Sequence, residues 1–455
     1  MSRSESIAAW TQHLVVGIFL TLVAGRSFAA TIEIFPSATL YCDEEFVDIA
    51  NKLQPGDELV LHEGIYSQNC RRAISVNGAP GKPVAIRTAS GARPLLTRPA
   101  DNMNVHNNIE ILNSSYLVLR GLRFRGGNIG VRFMGGHHIT IEDCEIFETG
   151  NNAIAMNSGD SDSFVIRHNH IHHTGLSTAG PTEGEGMYIG CHDNSCRTIR
   201  SLIEGNYIHH LRATSDGGND GIEVKPGSHG NIIRDNVIHD TNIGKQFPCI
   251  SVYGGGDGVN IVEGNAVWNC GEGIQVVSDA IVRNNIVFNS SVTGITAAPH
   301  ATIPHIRNVT IVNNTVVGHP TCFYIRWDKA DNVTLANNAV YCPGTTAINA
   351  SGLERISRTV RSNYVEGDLL GTEIDQLRFF DGGSVRSGFV NASERDFWPS
   401  PTSRLIGKAD RELASTVDFN GKRRSAAQDV GAYETDGLQT NPGWKITSGF
   451  KEFIN

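Results

Sequence analysis

The sequence predicts an all-β fold, a single-stranded right-handed parallel β-helix (solenoid) with an N-terminal helical cap. Three observations point there. One short pattern recurs along the chain, its copies, clear and weaker together, separated by 20 to 37 residues. Within each copy apolar and polar residues alternate with period two, and no helical stretch lies between copies. Glycine is abundant, with 49 among 455 residues, while aromatic residues make up only 7%.

The copies read directly off the chain: Val165-Ile166-Arg167-His168-Asn169-His170-Ile171, then Leu202 to Ile208, Ile232 to Ile238 and Ile261 to Val267, with weaker ones centred on Leu122, Cys144, Asn285, Asn314 and Asn338. A period of this size belongs to solenoids and is too short for independent domains. The absence of helices separates it from leucine-rich and helical repeats. Coils stacked about 4.8 Å apart place equivalent residues in ladders. Asn169, Asn206, Asn236, Asn265, Asn285, Asn314 and Asn338 form one such ladder, amide to amide, with a structural role. A second recurrent strand runs through Gly186–Gly190, Gly221–Lys225, Cys249–Tyr253 and Gly273–Val277. Its period of two turns Met187, Ile222, Ile250 and Ile274 inward and Tyr188, Glu223, Ser251 and Gln275 outward, with Lys225 and Tyr253 in the next outward column.

The ends differ from the repeat. Arg3 in a polar head, an apolar run from Leu14 to Gly25 and Ser27-Phe28-Ala29 read as a signal peptide over 1–29. An apolar run this short does not span a bilayer, which takes roughly 20 residues, so a secreted or periplasmic protein without a membrane span is expected. Residues 30–100 are read as the cap and first coils, 101–350 as the β-helix core, 351–436 as a C-terminal segment closing the far end, and 437–455 as a tail. Phe46, Ile49, Ala50 and Leu53 share one face of a helix expected over 43–53, which Pro55-Gly56-Asp57 ends. Such a helix covers the open edge of a first coil. A monomer is expected. Nine cysteines in an exported chain favour disulfides, with Cys42–Cys70, Cys191–Cys196 and Cys322–Cys342 as candidate pairs. No C-x-x-C spacing marks a zinc site. A net charge of −9 argues against nucleic acid as a partner.

The repeat, the opening Leu53-Gln54-Pro55-Gly56-Asp57-Glu58-Leu59-Val60-Leu61, the stretch Gly81-Lys82-Pro83-Val84-Ala85-Ile86-Arg87 and the closing Asp429-Val430-Gly431-Ala432-Tyr433-Glu434 together resemble the secreted pectate-lyase-like β-helix superfamily. That superfamily holds lyases, hydrolases, epimerases and non-catalytic proteins, so function has to come from the site. Within it, Asp220-Gly221-Ile222-Glu223-Val224-Lys225 followed by Asn231 and Arg234-Asp235-Asn236 resembles the catalytic coil of the calcium-dependent alginate and chondroitin B lyases. The resemblance implies Asp220 as a calcium ligand and Lys225 as a base. This chain lacks the family's Glu-x-Glu pair, and Tyr253 stands where an arginine is expected one coil on.

The strand alignment stacks Glu185 on Asp220, with Glu272 two coils further. Two carboxylates about 5 Å apart repel by roughly 3 kcal/mol at an effective dielectric near 20. A divalent cation, the Lys225 ammonium or a retained proton would compensate. Capping of turn amides is the plainer role for such acids. The insertions at 174–185 and 213–219, the first carrying Glu183, enter the same face. His172, His209, His239, Trp268 and Phe288 occupy one equivalent position and read as a stacked surface ladder of flat rings rather than a metal site. His192, just past the exposed strand, is kept as an acid or base, Tyr188 as a sugar-stacking ring, and Arg326, three coils beyond Lys225, as a grip for a remote carboxylate.

The expectation is therefore a carbohydrate-active enzyme, a polysaccharide lyase acting on a uronate-containing polymer by β-elimination. Lys225, Tyr253 and His192 carry proton transfer, Tyr188, Glu223 and Arg326 bind substrate, and Glu185, Asp220 and Glu223 hold Ca2+. A C5-epimerase, a glycoside hydrolase using the acids directly, and a non-catalytic polysaccharide-binding or matrix protein are the alternatives.

Overall fold

The computed structural model describes residues 29–36, 44–67, 69–98, 105–353, 358–371 and 378–452. The proposed leader up to Phe28, Cys42 and the expected start of the cap helix at Asp43 lie outside them. Strands pair in parallel from Thr31–Ile34 to Phe379–Asp381, each with the strand one coil before and one coil after. Three stacks result. The first contains Ile154–Met156, Met187–Ile189, Ile222–Val224, Pro248–Val252, Glu272–Val276, Thr293–Ala297 and Thr321–Arg326. The second contains Val165–Arg167, Leu202–Glu204, Ile232–Arg234, Asn260–Glu263 and Ala280–Arg283. The third contains Glu145–Phe147, His170–Thr174, Tyr207–Leu211, Val237–His239, Ala266–Trp268 and Ile286–Phe288.

The register follows from the chain's own chemistry. Inward residues of all three stacks merge into one continuous aliphatic core, with Ile166, Ile203, Ile233 and Val262 fully buried on the second stack and Met187, Ile222, Ile250 and Ile274 on the first. A one-residue slip would turn this whole set outward, so the pairing is strongly specified. Between the second and third stacks the chain bends through a left-handed residue in each coil: His168, Gly205, Asp235, Gly264, Asn284, Asn313 and Asn337, with φ between 53° and 67°. Glycine, Asn and Asp tolerate that region best, which accounts for the polar turn residue in every copy. The ladder asparagine follows at once. From Asn169 to Asn338 each side-chain amide donates to the Oδ1 of the next rung at 2.9–3.0 Å. Each Oδ1 also accepts a backbone N–H, as Asn236 does from Asn206 at 2.9 Å. Asn363 adds an eighth rung where the sequence pattern has already faded.

The cap helix spans Glu44–Ala50, shorter than the sequence pattern, and buries Phe46 and Ala50 as expected. Disulfides join Cys191–Cys196 and Cys322–Cys342, both anticipated, and Cys249–Cys270, which was not. They fit an oxidising compartment. Among the described residues no helix is long and apolar enough to cross a membrane.

The C-terminal segment departs from expectation. Its first part, through Asp381, adds the last coils at the far end, but from Phe389 on the chain lies along the outer face of the third stack, where Phe389, Phe397, Trp398, Phe419, Tyr433 and Trp444 form a second apolar cluster with Trp268, Phe288 and Tyr341. Arg424 is its buried knot, donating to the carbonyls of Asp429, Gly431, Ala432 and Tyr433 and pairing with Glu434 at 3.4 Å. The tail, silent in sequence, reaches back so that the buried Lys451 ammonium donates to Asp235 at 2.7 Å and to the carbonyls of Gly264 and Phe419. Rings exposed on a β-face need cover, and this segment supplies it.

Candidate functional site

The first stack's outward face carries a cleft of about 630 Å³. Its floor is the predicted column: Tyr188 pairs with Glu223, Glu223 with Ser251 and Ser251 with Gln275. One step before the column Glu185 lies beside Asp220, since the Gly186 N–H bonds to the Asp220 carbonyl at 2.9 Å. Pro248 pairs with Glu272, which puts Glu272 two coils beyond Asp220.

The two insertions wall the cleft by pairing with each other. The N–H of Thr214 donates to the Thr182 carbonyl at 3.0 Å, and that of Gly184 to the Gly218 carbonyl at 2.9 Å. Glu183 and Asp216 thereby reach the rim. At Gly218 φ is +125°, and a Cβ there would sit 2.7 Å from Asp220 Oδ2, so glycine is required for the wall to pass this close to the carboxylate. His192 stands on the short loop closed by Cys191–Cys196.

Polar groups at the floor are buried yet under-partnered. Glu185 is fully buried, and neither carboxylate oxygen has a hydrogen-bond partner; Glu223 Oε2 and Glu272 Oε2 are likewise bare. Burial, then the Glu223 charge, then Asp220 and Glu183 push the Glu185 carboxyl far above the usual range. Asp220 is raised by burial and by Glu223. Glu223 is raised by burial even though it is ion-paired to Lys225 and hydrogen-bonded to Tyr253. Burial alone would lower Lys225, but the Glu223 carboxylate more than reverses that and holds the ammonium above its ordinary value. Its Nζ stands 4.2 Å from the centre of the Tyr188 ring and 5.5 Å from that of Tyr253. Lys225 thus faces the cleft and not the apolar interior.

Of the residues singled out in the sequence, Tyr188, His192, Asp220, Glu223, Lys225 and Tyr253 line this one cleft, and Glu185 lies beneath it. Arg326 does not join them. The strand Thr293–Ala297 inserts a coil that the sequence spacing hides, so Arg326 is four rungs from Lys225, and its guanidinium is held by Asn349 over the Tyr324 ring. Gln246, Phe247 and His300 line the cleft without a signal in the sequence, whereas Asp216 belongs to the 213–219 insertion expected on this face. They sit in loops between copies, where no periodicity marks them. His300 meets the Tyr253 ring edge-on at 4.8 Å.

On the third stack His172, His209, His239, Trp268 and Phe288 pair rung by rung, with ring centres 4.4–5.4 Å apart and planes within 13° of parallel. The ladder is as read from sequence, except that it is not all surface: Trp268 and Phe288 are 1% and 2% exposed beneath the C-terminal segment.

A cleft-bearing parallel solenoid defines the class, and the comparisons place the chain within it. The model of the right-handed β-helix region matches residues 62–217 and 181–340, and the chain belongs to that family. No curated protein matches it. Among solved structures it resembles pectate lyase Pel9A, with 14% identity, a TM-score of 0.53 and coverage of 90% of this chain and 97% of that one. It also resembles the alginate lyase AlyGC, at 16% identity and a TM-score of 0.54 over 92% of this chain and 60% of that one. A mannuronic acid specific lyase from human gut microbiota aligns at 15% identity and a TM-score of 0.50 over 77% of this chain and 90% of that one. At such identities the likeness shows the fold.

Proposed function

We propose that this protein is a polysaccharide lyase that cleaves a uronate-containing polymer by β-elimination in the cleft above Lys225. The observation that carries the reading is one buried lysine ion-paired to one of a group of raised, under-partnered carboxylates. Burying Glu185 with neither carboxylate oxygen partnered, and Glu223 with one oxygen bare, beside Asp220 is costly, and a divalent cation is the ligand whose charge and oxygen preference match this group. Glu185, Asp220 and Glu223 would hold it. A cation such as Ca2+ held by these residues would supply charge to neutralise the substrate carboxylate and would offset the Glu223 charge that keeps Lys225 protonated.

The chain's own groups then supply the chemistry. Neutral Lys225 removes the proton at C5 of the uronate, which is acidified by the neighbouring carboxyl group. The electron pair forms the C4–C5 double bond as the C4–O bond breaks, and the leaving oxygen takes a proton from Tyr253 or His192. Tyr253 is better placed, being beside Lys225 and held by Glu223. Burial and the Glu223 charge raise its phenol, so it remains a proton donor throughout the working range. Tyr188 offers a ring face for a sugar, and the walls from Glu183 and Asp216 limit how much polymer enters. The pectate and alginate lyases of like fold support this reading as analogy.

The test is to incubate the protein with a panel of polyuronates, with Ca2+ and with chelator, and to follow ultraviolet absorbance of the unsaturated product. Lys225→Ala is expected to lower the rate by about 10²- to 10⁴-fold. New reducing ends without absorbance would mean hydrolysis instead, and altered stereochemistry without cleavage would mean epimerisation.

A further inference from the structure

We propose a second metal site, for a transition-metal dication such as Zn2+, on the third stack, formed by Glu145, His170 and His172 with His209 as the fourth neighbour. It lies on a different stack from the cleft and does not depend on the lyase reading. Glu145 pairs with His170 in the parallel register, and Phe147 with His172, so the acid and both imidazoles leave the same face. One ligand atom from each of Glu145, His170 and His172 lies within 4.8 Å of the other two. Glu145 Oε1 is 3.4 Å from His172 Nε2, and His170 Nε2 is 2.9 Å from His209 Nε2. Ligands about 2.0–2.1 Å from a tetrahedral zinc stand roughly 3.3 Å apart, so these two contacts already lie near ligand spacing, and the remaining separations, within 4.8 Å, would contract around a bound ion.

The ladder explains His172 and His209 as stacked rings. It does not explain His170, which lies outside the ladder column, pairing with Glu145 and Tyr207, and aims its Nε2 at the neighbouring coil's imidazole. The imidazoles are also prepared as ligands. His172 Nδ1 hydrogen-bonds with His173 Nδ1 at 2.7 Å, and His209 Nδ1 with His210 Nδ1 at 2.7 Å, which turns His172 Nε2 toward Glu145 and His209 Nε2 toward His170. Such outer partners orient ligating histidines and fix their tautomer. Arg123 pairs with Oε2 of Glu145 and leaves Oε1 for the metal. All three ligands are half-buried, so a metal ion reaches them from solvent.

The experiment uses the untagged mature protein freed of metal. Titration with Zn2+ is expected to show one tight equivalent at this site, and Co2+ to give the intense visible absorption of a four-coordinate ion. His170→Gln and Glu145→Gln should each weaken Zn2+ binding at least tenfold while Lys225-dependent chemistry is unchanged. His239→Gln, in the ladder but outside the proposed set, should bind as the unaltered protein does. Unchanged affinity in both ligand variants, or a weak octahedral Co2+ spectrum in the unaltered protein, overturns the proposal. The Co2+ spectrum decides by itself if the variants do not fold.

Discussion

The asparagine ladder and the cleft floor are both rows of buried polar side chains stacked at the same coil spacing, yet they are opposites. In the ladder every amide finds a donor and an acceptor in the rungs beside it, so the row is neutral and closed. On the floor Glu185 stacks on Asp220 with Glu223 in the column beside them, but all three are acceptors, and crowding them brings repulsion and leaves bare oxygens on Glu185 and Glu223. A solenoid copies whatever chemistry it is given. Amides reinforce one another when copied, whereas carboxylates demand an outside partner, which is why the first row reads as architecture and the second as a site.

Breaking the closed row should produce the largest change in stability. Asn265→Ala removes the acceptor for Asn236 and the donor to Asn285 in mid-ladder, and is expected to cost about 3 kcal/mol in denaturant unfolding. A loss below about 1 kcal/mol would mean that water replaces the amide and that the row is not closed.

Relieving the open row should act in the other direction. Glu185 and Asp220 have carboxyls raised in the folded state, so the folded protein holds protons that the unfolded chain has released. Metal-free stability should therefore fall as pH rises from the ordinary carboxylate range up through the raised folded values. Glu185→Gln removes one of these groups and is expected to flatten that fall and stabilise the metal-free protein at neutral pH by about 1 kcal/mol, while abolishing stabilisation by Ca2+. Thermal unfolding against pH, with and without Ca2+, measures both; a steeper fall in the variant would contradict the assignment.

The smallest effect belongs at the edge of the comparison. His300 touches Tyr253 from a loop, outside both rows. His300→Ala should leave stability within about 0.5 kcal/mol and change turnover on the polymer by only about threefold, chiefly through Tyr253 placement. A loss approaching that of Lys225→Ala would move His300 into the reacting group.

Much of this molecule was legible because a solenoid makes distant segments equivalent. The alternation around Asn169, Asn206, Asn236 and Asn265 fixes the register, and the register alone places Tyr188, Glu223, Ser251 and Gln275 in one column and stacks Glu185 on Asp220. The same logic failed wherever a coil lacked its signature. Thr293–Ala297 went uncounted, and Arg326 was therefore set one rung too near. Loop residues such as Phe247 and His300 carry no period, so nothing in the chain announced them.

By itself the sequence determined the stacking, because period-two alternation and a left-handed polar turn in every copy leave the chain one way to bury its aliphatic residues. Only the tertiary structure decided what covers the rings of the third stack, how the insertions meet over the cleft, and that Glu223 grips Lys225. Those outcomes depend on long-range packing of aperiodic segments and on the loss of water around charges, neither of which leaves a local pattern in the chain.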